Sequence, residues 1–384
     1  MGSGIDDTDY AASEAHSVDA LKKVISAKYK QGIVPESMGM FVELFEDNYV
    51  PDHYVATATD TGGTKTILAQ AMGKYDTVGV GYISVLVNDF AAHPGNGWAF
   101  PRYFLNTMLT QAAFREEGIA GDVMRGIVRG LEKADVSDIL GVDPVSIGKG
   151  ETASVDEMIA GPRFGYGYDV IGAMVGYMEK DKLGLHFPQP GDVIIAFPAY
   201  GCGNNGYVEL RTKLLNGEFE ERSEFRSRYR GRFSLTDKIP GTDIVIGEEL
   251  LKESDIYLRE MASIAKELYN SERTGVVGIN NTGYGLMNLN RVSRYVENHI
   301  TDPLPMSPIF ELFRDETGYD DFTMYRLVNN GMSFFVQCNP KYADVVLRHV
   351  PGSKVVGEVR QGKGSPVTYL HRNGKQIEFA GYGL

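Results

Sequence analysis

Two rhythms alternate along this chain, and the alternation limits what it can fold into more than any other feature. Short runs rich in β-branched and aromatic residues are followed by longer segments whose apolar residues recur every three or four positions. YVATATD (54–60) reads as a strand and TKTILAQAMGK (64–74) as a helix. GDVMRGIVRGLEKA (121–134) puts Val123, Met124, Ile127, Val128 and Leu131 on one helical face, with Asp122 in the first turn and Lys133 in the last, as a helix dipole prefers. YDVIGAMVGYME (168–179) reads as a strand with small residues. The second half repeats the pattern. GDVIIAFPAYG is strand and turn, YLREMASIAKELYN helix, GVVGINNTG strand, SPIFELFRDETG helix, MSFFVQC strand, KYADVVLRHV helix and KVVGEVRQG strand. Such alternation predicts an α/β or α+β protein.

Other segments are less decided. Residues 17–30, with Val18, Leu21, Val24 and Ile25 at helical spacing, predict a helix. VGVGYISVLVNDF (78–90) is apolar on every side, and periodicity does not choose between buried helix and buried strand. SIGKGETA (146–153) reads as a glycine-rich turn ending in an acid, and 32–45 has no clear assignment. A length of 384 residues argues for two domains. The Pro/Gly-broken stretch DKLGLHFPQPGD (181–192) is the expected boundary, giving units of 1–185 and 186–384.

Bulk chemistry removes several classes of function. A net charge of −13 argues against a general nucleic-acid-binding surface. Two distant cysteines, Cys202 and Cys338, make neither a disulfide framework nor a metal knuckle and suit a reducing cytoplasm. No apolar run approaches the roughly 20 residues that span a bilayer, and the histidines lack zinc-site spacing.

The stretch Thr57-Ala-Thr-Asp-Thr-Gly-Gly-Thr-Lys-Thr66 concentrates chemistry at one strand-to-helix junction. Thr64 separates the glycines from Lys65, so this is not a Walker loop. Gly62 and Gly63 can form a backbone nest for an anion, Asp60 can hold Mg²⁺, and Lys65 can meet phosphate. The plainer reading is a tight turn before a capped helix. Asp89, ending an apolar segment, needs a partner: a cation, a cap or a salt bridge. Glu151 and Asp169 are further acids beside glycine or apolar strand. Glu221–Phe233 carries five arginines among aromatics and reads as a solvated hairpin or insertion, or else as a phosphate contact through Arg228 or Arg230. His93 is read as a loop histidine, Trp98 and Phe100 as core or interface anchors, and Cys202 as an unreactive thiol in a glycine-rich turn.

The order of these elements resembles the aminoimidazole ribonucleotide (AIR) synthetase family, the phosphoribosylformylglycinamidine cyclo-ligases. The motifs are Asp60-Thr-Gly-Gly-Thr-Lys65, Val87-Asn-Asp89, Gly150-Glu-Thr-Ala153 and Tyr168-Asp-Val-Ile-Gly172. They continue through Pro190-Gly-Asp-Val193, Asn205-Gly-Tyr207, Thr282-Gly-Tyr-Gly-Leu286, Met324-Tyr-Arg326 and Asn329-Asn-Gly331. The resemblance implies an N-terminal sheet domain that forms a barrel across a homodimer and a C-terminal α/β domain closing over the nucleotide. It implies ATP and Mg²⁺ as cofactors and a small phosphorylated substrate. By position, Asp60, Asp89 and Glu151 would hold metal. Asp60, Gly62, Gly63, Thr64, Lys65, Asn205 and Asn329 would bind the cofactor, and Lys65, Asn88 and Asp169 would serve catalysis. A homodimer is also expected because YVATATD, VGVGYISVLV and FPRYFLNTML are too apolar to leave a sheet face wet.

The departures from the family's pattern fall on the substrate side. A carboxylate is lost at Gly81, an aspartate is replaced by Arg102, and histidines are replaced by Gly203 and Asn280. Near the N-terminus the family's Gly-Val-Asp becomes Ser13-Glu14-Ala15, and its Gly-Ala-x-Pro becomes Pro94-Gly-Asn-Gly97. The implied activity is therefore the purine cyclo-ligase reaction, or a related ATP-using step on another amide, carboxylate or phosphorylated substrate, or a non-catalytic dimeric scaffold.

Overall fold

The structure is a computed structural model that describes residues 24, 30–92, 99–111, 118–182, 186–269 and 275–381. Most of the expected 17–30 helix, His93, Trp98 and the 13–15 and 94–97 departures lie outside the described residues. Two sheets carry the architecture. The first has five strands: β1 (Glu43–Glu46), β2 (His53–Thr61), β3 (Phe100–Thr110), β4 (Ser146–Ser154) and β5 (Tyr168–Glu179). Their order is β1-β2-β5-β3-β4, antiparallel except for the β3–β4 pair. The second has seven: β6 (Val193–Pro198), β7 (Val276–Asn280), β8 (Val296–Ile300), β9 (Met332–Cys338), β10 (Lys354–Gln361), β11 (Val367–Arg372) and β12 (Lys375–Ala380). Their order is β12-β11-β8-β10-β6-β9-β7, with β8–β11 the parallel pair. This is the mixed α/β architecture that the alternation predicts.

Helix α1 (Lys65–Met72) follows β2, and α2 (Asp76–Ala91) resolves the ambiguous apolar segment as a helix. Twelve of its sixteen residues are buried, which is why no amphipathic stripe marks it. It packs on the first sheet, on α3 (Ile119–Ala134) and on β7, so it lies between the two sheets. The α2–α3 approach is backbone-close: a Cβ on Gly126 would lie 1.9 Å from the Asp76 carbonyl oxygen. In the second half α4 (Tyr207–Leu214), α5 (Leu258–Tyr269), α6 (Pro308–Thr317), α7 (Asp321–Leu327) and α8 (Ala343–His349) surround the sheet.

Strand β5 alternates buried and half-buried residues along its length, as a strand with one core face must. Strands β6 and β9 are buried almost throughout, covered on both faces. One expectation is overturned. SIGKGETA is not a turn but lies within β4, an edge strand paired with β3 and exposed along nearly its whole length. Its glycines score as turn formers, but available backbone partners on β3 decide the conformation.

Candidate functional site

The acids gather where the end of β2 meets α2 and β5. Asp60 is the penultimate residue of β2, and its Oδ1 accepts the Thr61 amide at 2.7 Å. Burial raises its pKa. Asp89 lies in the last turn of α2. Burial pushes its carboxyl up to about 7, opposed by the Asn280 side-chain amide, which donates to Oδ1 at 3.0 Å. Asp169, near the start of β5, is raised chiefly by burial and further by the charge of Asp60. No lysine or arginine forms an ion pair with any of the three among the described residues. Uncompensated, partly buried carboxylates of this kind are groups for which a cation is the natural partner.

The turn before α1 behaves differently from either simple reading. Gly63 has φ +62°, a conformation that favours glycine. The Val170 amide donates to Asp169 Oδ1 at 2.8 Å, while the Gly62 amide donates to the Val170 carbonyl, also at 2.8 Å, so the glycine turn is closed onto β5 rather than left as an open nest. Thr64 occupies the N-cap position of α1, but no side chain caps that helix. Lys65 is only 1 % exposed. Its Nζ donates to the carbonyl of Lys252 at 2.8 Å, to that of Gly203 at 3.3 Å and to Ser254 Oγ at 3.4 Å. Rather than facing an open cleft, it pins the 203 and 252–254 segments against α1, and burial lowers its pKa to about 8.

Glu151 does not join Asp60 and Asp89 within the chain. Asp60, Gly172, Asn106 and Gly150 form one row across β2, β5, β3 and β4. Glu151, one residue further along β4, is thus about three strand spacings from Asp60, roughly 14 Å. Its carboxylate is exposed and pairs with Lys149 at 3.3 Å. Among the described residues no three His, Cys, Asp or Glu side chains converge on one point. Mg²⁺ held with a nucleotide, however, needs only one or two carboxylates beside phosphate oxygens, and Asp60 with Asp89 suits that demand.

Between α2 and the second sheet lies a cavity of about 30 Å³, room for roughly one water. Its walls include Asn88, Asn204, Asn205, Asn280, Asn281 and Asn329, with Ser84, Ser254 and Asp255. Asn88 ties α2 to the 255–257 segment: its Nδ2 donates to the Asp255 carbonyl and its Oδ1 accepts the Tyr257 amide, both at 2.9 Å. Asn329 donates to the Gly201 carbonyl at 3.2 Å and accepts the Gly331 amide at 2.9 Å. Asn205 accepts from Thr282 Oγ1 at 3.5 Å. The structure thus brings Asn88, Asn205 and Asn329 together and, through the Asn280 amide, sets Asp89 beside them.

Three departures acquire a physical account. At Gly81 a Cβ would lie 2.6 Å from Asn204 Oδ1, while Asn204 Nδ2 donates to the Gly81 carbonyl at 2.8 Å. The missing carboxylate's space is taken by an amide. Asn280, where the family has histidine, holds Asp89. Arg102 donates to the Pro144 carbonyl and Ser146 Oγ, both at 2.9 Å, and fastens the approach to β4. Cys202 is buried with its thiol pushed up to about 12, the unreactive state expected. In the arginine-rich segment Arg232 forks onto Glu316 at 2.9 and 2.7 Å, and Arg226 donates to two carbonyls, so these two are structural. Phe100 is buried in the core, one of its two expected places.

Sequence reasoning missed Tyr82, Asn204 and Asn281. The available signal for Tyr82 was its spacing from Asp89, seven residues on one helical face, which is visible only once the segment is known to be a helix.

No protein-family model matches the chain. A phosphoribosylformylglycinamidine cyclo-ligase from Methanosarcina barkeri is 31 % identical over 310 residues, covering 80 % of each chain. Among solved structures, AaThiL complexed with AMPPCP and TMP superposes with a TM-score of 0.52 at 15 % identity, covering 94 % of this chain and 93 % of that one. Hydrogenase maturation protein HypE in complex with ATP gives 0.50 at 16 %, covering 85 % and 84 %. At such identities the structural likenesses speak for the fold alone. The sequence match carries the assignment: the chain belongs to the phosphoribosylformylglycinamidine cyclo-ligase family.

Proposed function

We propose that the protein is an ATP-dependent cyclo-ligase that converts formylglycinamidine ribonucleotide to aminoimidazole ribonucleotide, with ADP and phosphate as the other products. The observation that carries this reading is the group of carboxylates without an ion pair among the described residues, Asp60, Asp89 and Asp169, where the end of β2 meets α2 and β5, with Asp89 tied through Asn280 to an amide-lined cavity. Mg²⁺, when bound, would neutralise phosphate charge during transfer. Asp60 and Asp89 would hold it, and Asn205 and Asn329 would shape the pocket for nucleotide or substrate. In the reaction a formyl-amide oxygen attacks the γ-phosphate, and an internal amine then closes the ring and expels phosphate. The protein's task is alignment and charge balance rather than nucleophilic attack. Asn88 serves this by tying α2 to the 255–257 segment, and Lys65 by locking α1 to the 203 and 252 carbonyls.

We also infer a homodimer through the outer face of the first sheet. Tyr103 and Leu105 of β3 are 41 % and 39 % exposed there, beside half-buried Ile171, Val175 and Tyr177 of β5. An apolar sheet face of this kind calls for a cover, and a barrel of strands across two copies would supply it. The test of the reaction is turnover: purified protein with Mg²⁺, ATP and formylglycinamidine ribonucleotide should yield the aminoimidazole product and ADP. A folded, Mg-loaded sample that binds ATP yet forms no product overturns the specific reaction.

That second outcome has a structural motive. Asn280, Gly203 and Gly81 replace two histidines and an acid, so the cavity wall is largely neutral amide. A related enzyme activating another amide, carboxylate or phosphorylated compound would fit this wall, and a substrate panel separates the two.

A further inference from the structure

Tyr82 projects from the middle of α2 toward the acid cluster, and its hydroxyl has no hydrogen-bond partner among the described residues. The residue is 1 % exposed, and Oη is buried without a hydrogen-bond partner. Buried phenols almost always find a partner, so one that lacks it calls for an explanation.

Packing determines where this hydroxyl sits. The ring meets Phe104 edge-on with centroids 5.8 Å apart. Oη comes down onto bare backbone, since a Cβ on Gly172 would lie only 1.8 Å from it. Gly172 is registered opposite Asp60 across the β2–β5 pair. Residues directly opposite on antiparallel strands project to the same face, so the hydroxyl stands over the position beside Asp60. Tyr82 and Asp89 share one face of α2, at a spacing of seven residues. Burial first, then the charges of Asp169 and Asp60, hold the phenol above its ordinary pKa, so it remains a donor.

The two nearby carboxylates differ in where they stand. Asp169 accepts the Val170 amide and is three residues from Gly172 on β5, so its side chain leaves the strand on the opposite face. Among the described residues Asp60 accepts only the Thr61 amide. A carboxylate has about four acceptor sites, so Asp60 has capacity to spare.

We propose that Tyr82 is a positioning residue of the nucleotide–cation site, its hydroxyl donating to the Asp60 carboxylate in the cation-loaded state and so orienting that ligand. This rests on the reading of Asp60 as a Mg–ATP ligand. A phenol kept without a partner in the free protein is the donor an ionised, ligating Asp60 would use, and Gly172 leaves the space it needs.

The test is Tyr82→Phe, which removes one oxygen and no packing. By isothermal titration, Mg²⁺ affinity at saturating ATP should weaken about tenfold, while ATP affinity in EDTA should stay unchanged. The thermal midpoint of the free protein should hold or rise, because a buried hydroxyl without a partner is lost. In an Asp60→Asn background the same change should add nothing further. Mg²⁺ affinity within twofold of the wild type overturns the proposal. So does a fall of several degrees in the free protein's midpoint, which would mean the hydroxyl already stabilises the unloaded state. Additive losses in the double variant overturn it as well. Absence of Mg²⁺-dependent ATP binding in the wild type is a separate outcome: it overturns the functional reading itself, and the proposal with it.

Discussion

At position 89 a carboxylate that would ordinarily be charged at neutral pH is held near its midpoint, pushed up to about 7 by burial. The consequence for stability has a definite sign. A raised folded-state pKa means the folded protein binds more protons than the unfolded chain between about pH 4 and 7. Stability contributed by neutral Asp89 is complete below the unfolded value and is lost as pH rises through about 7. Without divalent cation, the thermal midpoint should therefore carry a component that declines over that window, and Asp89→Asn should remove it. Cation binding should displace this proton, so Mg²⁺ affinity measured at fixed ATP should climb up to tenfold per pH unit below 7 and level off above it. A flat profile in both measurements would deny Asp89 that role. Asp60→Asn belongs to the same scale. Its carboxylate is desolvated and lacks an ion-pair partner, so the fold should survive with an equal or higher midpoint. Mg–ATP affinity should fall by about 1–3 kcal/mol, as for a lost charged contact. At this scale the sequence exposed Asp60, Asp89 and Asp169 because acids beside glycines and apolar runs stand out. It did not expose the inward turn of Lys65, since whether a lysine meets solvent or the Lys252 carbonyl depends on a segment 187 residues away.

Among the elements, α2 is the one on which both halves of the structure lean. It touches the first sheet, α3 and β7, and presents Tyr82, Asn88 and Asp89 to the site. Its contact with α3 depends on missing side chains at Gly79 and Gly126. Gly126→Ala, which would gain helix propensity on an isolated helix, should instead destabilise the protein by about 1–3 kcal/mol through overpacking against the Asp76 carbonyl. Chemical denaturation checks this, and an unchanged or raised stability would count against such close packing. Amphipathic α3 was readable because it has one wet face. The polar strand β8 was not, because Asn298 is satisfied deep in the sheet by Ser293 and Thr368 at 3.2 Å and by Gln337 at 2.6 Å. Strand β4 was misread because glycine content speaks for turns while pairing with β3 makes it a strand.

For the whole molecule, the open question of assembly turns on the outer face of the first sheet. A homodimer through that face should give twice the chain mass by light scattering at micromolar concentration. Leu105→Glu, placing a charge on the apolar patch, should shift the protein to monomers with little loss of secondary structure by circular dichroism. A wild-type monomer would contradict the dimer reading. The alternation of strand and helix, the segments' apolar content and the order of the acidic motifs are local properties, written in neighbouring residues, so the α/β class and the family could be read directly. What only the tertiary structure decided is longer in range. It closed the Gly62 amide onto the Val170 carbonyl, moved Glu151 three strands from Asp60, filled the space at Gly81 with Asn204 and left Tyr82 without a partner among the described residues over Gly172. Each of these depends on which backbones pair and how closely helices approach. Strand register and backbone contact are set by the packing of distant segments, and no window of local sequence contains them.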